Sequence, residues 1–227
     1  MTVTIYELCG ANEWHLFSPH CWKVRMSVAH KGLDWRVEPV PFTKISEIEG
    51  GVSKTVPVIR DGDVVMRESL DIARYLDATY GGRPLIGGAQ ADQLTQFVIS
   101  WSQGAVHPLV AKAVVTEIHD ALAPEDRKYF RASREASFGT TLEEFMKRGS
   151  VTKADFERAT APFAAYLGRA DYLGGEEPIF ADYVVFGALQ WLRLSGGEAF
   201  LPDGAVGAWF ERLLDAHDGM GRAALAA

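Results

Sequence analysis

The stretch Gly81-Gly82-Arg83-Pro84-Leu85-Ile86-Gly87-Gly88 constrains this 227-residue chain more than any other, because four glycines and a proline in eight residues exclude regular structure there. The hydrophobic period changes across it. Before it, short β-branched runs surround one helical segment; after it, apolar residues recur at every third or fourth position. Two domains are therefore expected, residues 1–80 and 90–227, joined by a linker at 81–89, each long enough to bury a core.

In the first segment, Val3 to Leu8 alternates and is β-branched, which predicts a strand. A polar loop over Cys9 to Leu16 leads to Phe17-Ser18-Pro19-His20-Cys21-Trp22-Lys23. Ser18 is a favoured N-cap, and Pro19 stands where a missing N–H costs a helix nothing, so a helix starts here and runs to His30. Trp35 to Val40 predicts a second strand, parallel to the first, with Pro39 suited to an edge. Residues 41–54 read as a loop with one helical turn. Val56-Pro57-Val58-Ile59-Arg60 and Val64-Val65-Met66-Arg67 flank Asp61-Gly62-Asp63, a hairpin signal. Ser69 then reads as the N-cap of a helix burying Leu70, Ile72, Ala73, Leu76 and Tyr80. The order βαβ followed by ββα is that of a thioredoxin-like domain, so the expected class is α+β.

Beyond the linker, residues 90–121 carry Leu94, Phe97, Val98, Trp101, Val106, Leu109, Val110 and Val114 at helical spacing, with Pro108 expected to kink the helix. Further helices are expected from Pro124, over 141–148, over 152–168 with Thr152 and Asp155 as a capping box, from Asp182, and around Ala205 to His217. The longest apolar run, Tyr183 to Leu192, is about half the roughly 20 residues that a membrane span needs, and reads as a buried core helix.

Composition removes several classes of function. Net charge is −7 and neither domain is basic, so no nucleic-acid or anionic-membrane partner is expected. Two cysteines, Cys9 and Cys21, cannot form a disulfide framework, and the amino terminus lacks a signal-peptide pattern; a cytoplasmic setting fits. The six histidines show no ligand spacing, so no metal site is expected. Residues 219–224 match a dinucleotide fingerprint by accident, with no strand before them.

Ser18 and Cys21 have Cys-x-x-Cys spacing with serine in the first place. Disulfide exchange needs two thiols and is excluded, which leaves activation of another molecule's thiol. A thiol of ordinary pKa, about 8.5, is only a few per cent ionised at neutral pH. The Ser18 hydroxyl and the positive end of the helix would favour the thiolate; alternatively, Ser18 is no more than a cap.

A thioredoxin-like unit with Val56-Pro57 before a strand and Glu68-Ser69 before a helix, then a short linker and an all-α domain, resembles the cytosolic glutathione transferase family over essentially the whole chain. Phe17 to Trp22, Ala29 to Leu33, Ile118 to Asp120, Tyr129 to Glu135 and Ala181 to Gly187 resemble its bacterial β-etherase branch and the fungal serine-type relatives. The family usually has Ser or Thr where this chain has Ile179, so Asp182 must cap its helix alone.

The resemblance implies glutathione as co-substrate, a cis bond at Val56-Pro57, and Ser18 as the catalytic residue. Phe17, Lys44, Lys54, Val56, Pro57, Glu68 and Ser69 are expected at glutathione. An aromatic electrophile is expected between the domains, near Asn12, Trp14, Phe17, Trp101, Gln103, Val106, His107 and Val110. Attack with departure of a phenolate or halide follows, β-aryl ether cleavage being the branch's activity. A non-catalytic binder of glutathione or apolar ligands is the alternative. Family members are usually homodimers.

Overall fold

The computed structural model describes residues 2–147 and 150–226. Four strands, β1 (Val3–Leu8), β2 (Trp35–Val40), β3 (Val58–Asp61) and β4 (Val64–Arg67), form one sheet in the order β2-β1-β3-β4. β1 and β2 are parallel, with Ile5 opposite Val37; β3 runs antiparallel to both β1 and β4. Between the strands lie α1 (Pro19–His30) and, after the hairpin, α2 (Ser69–Thr79). This is the expected thioredoxin-like order.

One face of the sheet packs on α1. Val3, Ile5 and Glu7 of β1 point there, all with no exposed surface. A buried carboxylate needs a partner, and Arg25 of α1 supplies two parallel bonds to Glu7, at 2.9 and 2.8 Å, while its guanidinium stacks 4.5 Å from the Trp22 ring centroid. The other side of α1 meets α8 (Phe180–Leu194), where a Cβ added at Gly187 would collide with the Pro19 carbonyl oxygen. With sheet on one side and helix on the other, α1 buries even Lys23 and Arg25 and so lacks a polar stripe.

The helical part continues with α3 (Ala89–Trp101), α4 (His107–Ala121), α5 (Pro124–Phe138), α6 (Leu142–Lys147), α7 (Lys153–Leu167), α8 and α9 (Gly204–Gly219). The linker is docked. Asp77 accepts the Leu85 and Ile86 N–H groups at 2.8 and 2.9 Å, and the Leu85 carbonyl accepts the Phe180 N–H. Asp182 accepts N–H bonds from Ile179 and Leu173 and the Trp209 indole N–H at 2.9 Å, so it caps α8 without a hydroxyl partner. The Thr152–Asp155 capping box of α7 is present.

Several sequence expectations need correction. The single helical turn expected within 41–54 is longer than that, 3-10 turns over Phe42–Gly50, where Asp126 at the start of α5 accepts the Phe42 and Thr43 N–H groups. Glu68, not Ser69, is the cap of α2, and Ser69 is its first helical residue; Leu70 and Tyr80 are only half-buried. The helical backbone runs unbroken from α3 into α4, and Pro108 is accommodated by a π turn at Ser102–Val106 rather than by a break. Leu94 and Phe97 are 66% and 69% exposed and are not core. Of the helix expected at 141–148, residue 148 lies outside the described residues.

Candidate functional site

A cavity of about 700 Å³ lies between the two halves of the chain. Its first wall comes from consecutive residues at the start of α1, Phe17, Ser18, Pro19 and His20, together with Lys54, Thr55 and Val56 from the segment before β3. The second comes from one face of α4 (Pro108, Ala111, Val115, Ile118), one face of α5 (Tyr129, Phe130, Arg134, Phe138), Phe145 and Trp191. Phe42 and Ile45 of the 3-10 turns close the gap between them.

Ser18 is fixed by its role as N-cap. Its Oγ accepts the Cys21 N–H at 3.4 Å, and the side chain, buried to 4% exposure, forms part of the cavity wall. The preceding loop is anchored by two bonds: Trp22 donates its indole N–H to the Leu16 carbonyl at 2.8 Å, and His15 Nε2 lies 2.8 Å from the Leu194 carbonyl. Cys21 faces the core, and burial pushes its thiol up to about 12. It is a neutral thiol at any physiological pH.

Val56-Pro57 is cis, as the resemblance implied. Glu68 holds φ 65° and ψ 118°, a conformation that costs a residue with a side chain about 1–3 kcal/mol, and Ser69 follows it as the first residue of α2. Neither Glu68 nor Ser69 lines the cavity itself. Lys54 does, whereas Lys44 is exposed and paired with Glu47 at 2.8 Å.

Of the residues expected around the second substrate, the structure brings only Phe17 and His107 to the cavity wall. Val106 and Val110 are fully buried in the helical core, Trp101 packs against Phe163, Asn12 and Gln103 are exposed, and Trp14 is 57% exposed. The aromatic residues of α5 and α6 had no signal of their own. Only the spacing of Phe130, Arg134 and Phe138, four residues apart, places them on one helix face.

His20 and His107 stack at 5.7 Å across the seam between the walls. Lys23 is buried behind them, and its Nζ donates to His20 Nδ1 at 3.1 Å, which assigns the remaining proton of His20 to Nε2. His107 donates from Nδ1 to the Ser102 carbonyl at 3.0 Å, leaving Nε2 as a buried acceptor with no partner among the described residues. Burial holds both imidazoles neutral, His107 at about 4 and His20 well below its ordinary value, and lowers Lys23 to about 8. One donor and one acceptor are thus presented where the walls meet.

Comparison with known proteins agrees with this geometry. The family model described as the glutathione S-transferase C-terminal domain matches residues 93–216, and the N-terminal domain model matches residues 15–84. Glutathione S-transferase Z1 of Arabidopsis thaliana is 39% identical over 69 residues, covering 28% of this chain and 31% of that protein; the chain thus aligns with less than a third of that relative's length. Glutathione transferase GSTFuA3 from Phanerochaete chrysosporium superposes with a TM-score of 0.75 at 26% identity, over 96% of this chain and 92% of that one. CsGST63524 of Ceriporiopsis subvermispora, solved in complex with glutathione, has the same fold, with a TM-score of 0.77 at 24% identity over 95% and 97%. The C-terminal match alone spans more than half of the sequence and the two matches meet at the linker, so the chain belongs to the glutathione S-transferase family.

Proposed function

We propose that this protein transfers the thiolate of glutathione, its co-substrate, to an aromatic electrophile held in the interdomain cavity, with Ser18 stabilising the sulfur. The observation that carries the reading is the Ser18 hydroxyl, buried, capping α1 and facing a cavity walled by both domains. A hydroxyl donor and a helix end together would lower the thiol pKa by about one to two units, making thiolate the main species at neutral pH. Val56 would pair with the peptide backbone of glutathione, Ser69 and Glu68 with its γ-glutamyl end, and Lys54 with its glycine carboxylate. In the reaction a sulfur–carbon bond forms and a carbon–oxygen or carbon–halogen bond breaks, the leaving group keeping the electron pair. For an aryl oxide, the Nε2–H of His20 is the donor available to the departing oxygen.

Changing Ser18→Ala is expected to lower turnover by about a hundredfold and to raise the pKa of enzyme-bound glutathione, followed by thiolate absorbance. Unchanged acidity of the sulfur together with unchanged turnover would overturn the reading. Assaying a β-aryl ether ketone beside a halogenated nitroarene decides whether etherase activity is present. The exposed Leu94 and Phe97 on α3 support a homodimer, readable by sedimentation before and after Phe97→Glu. No helix among the described residues is long and apolar enough to cross a membrane.

A further inference from the structure

The three arginines of α5 are treated differently by the fold. Arg127 donates to the carbonyls of Leu122, at 2.7 Å, and Asp120. Arg131 holds two carboxylates, Glu135 at 2.9 Å and Glu143 at 2.8 Å. Arg134 lines the cavity, lies 5.0 Å over the Phe130 ring, and makes one hydrogen bond, to the neutral Ser133 hydroxyl at 3.0 Å. No carboxylate pairs with it among the described residues.

We propose that Arg134 is the receptor for a carboxylate on the second substrate, so that the electrophile is an aromatic carboxylate rather than a neutral arene. This deepens the transferase reading and rests on it for the identity of the cavity. A guanidinium has five N–H donors in a planar fork, and four of these are left by the Ser133 bond. Burial alone lowers its pKa, yet an arginine stays charged, so a desolvated cation waits without a counterion. Among the described residues the cavity wall contains no Asp or Glu, in a chain whose net charge is −7, while it contains the cations Lys54 and Arg134. With Lys54 assigned to glutathione, Arg134 has no anion of its own. The neighbouring surface consists of Phe42, Tyr129, Phe130, Phe138 and Phe145, which suits a flat ring. A bidentate carboxylate on an aromatic ring satisfies the fork and the walls together.

The test compares 4-chloro-3-nitrobenzoate with 4-chloro-3-nitrobenzamide as electrophiles, with glutathione, in the parent protein, Arg134→Gln and Arg134→Lys. A charge-assisted pair predicts that Arg134→Gln lowers the carboxylate-over-amide preference in kcat/KM by about tenfold to a hundredfold, mostly through KM, and that Arg134→Lys restores part of it. A preference unaltered by both variants overturns the proposal, as does equal damage to both substrates. Should neither compound turn over in the parent protein, the transferase reading fails separately, and binding of 3-nitrobenzoate by calorimetry still decides: affinity reduced tenfold or more in Arg134→Gln supports the receptor, and unchanged affinity rejects it. Arg134→Met, which also removes the charge, takes the place of Arg134→Gln in each comparison if Arg134→Gln does not fold.

Discussion

The two walls of the cavity are built on opposite plans. The first presents four consecutive residues, 17 to 20, whose positions follow from one helix cap and one proline. The second gathers side chains from four helices, none of which is placed by a local signal. In the proposed reaction the first would work through single atoms, the Ser18 hydroxyl and the His20 Nε2–H, and the second through area. Disturbing the first wall should therefore change turnover steeply or lose the fold of its support, while disturbing the second should change affinity in small steps.

The largest effect is expected under the first wall. Glu7 of β1 is fully buried and desolvation raises its pKa, with Arg25 pulling the other way. Glu7→Ala strands the Arg25 cation between Trp22 and Trp35, which should cost about 3–5 kcal/mol of stability, measured as a shift of the urea midpoint. Glu7→Ala with Arg25→Met should recover much of the loss. If the double variant is no more stable than the single one, the pair is not what seats α1 and Ser18.

The next effect belongs to the seam. His15, His20, His30, His107 and His217 all have pKa values lowered by burial, His30 and His107 to about 4. The unfolded chain, with histidines near 6.5, binds more protons than the native state below that pH, so stability present at neutral pH is lost as pH falls from about 6.5 towards 4. His107 alone contributes about 3 kcal/mol on this scale. Asp182 opposes this, since burial raises it to about 6 and the native state takes up its proton between 6 and 3.8. Glu7, also raised by burial, has the same sign, and these two carboxyls against five histidines leave a net loss. Denaturant midpoints that stay level or rise between pH 6.5 and 5 would contradict it.

What sequence alone revealed follows the same division. Ser18, Pro19 and the hairpin carry their meaning within a few residues, and the strand order, the capping box at Thr152 and the lone cap at Asp182 were all readable. Glu7 was not, because an alternating strand gives no hint that a carboxylate will be answered by an arginine 18 positions later on a helix covered from both sides. The 3-10 turns at Phe42–Gly50 depend on Asp126, 84 residues from Phe42. Val106 and Val110 share the helical stripe of the true lining residues but fall on its buried side. A one-third turn of a helix separates core from cavity, and periodicity does not say which face a ligand will meet.

The smallest effect sharpens the contrast most. Phe138 and Phe145 stack at 3.9 Å with rings 7° apart, both half-buried, while Tyr129 pairs separately with Phe42, their centroids 6.3 Å apart. Because α5 and α6 meet at this pair, Phe145→Ala removes one ring without touching the sheet or α1. The lost ring contact is worth about 1 kcal/mol, so KM for an aromatic electrophile should rise about three- to tenfold. The pKa of bound glutathione, set at the other wall, should stay where it is. A Phe145→Ala variant whose bound thiol becomes less acidic would show that the walls are coupled, and that the second wall holds the first in place rather than only holding the substrate.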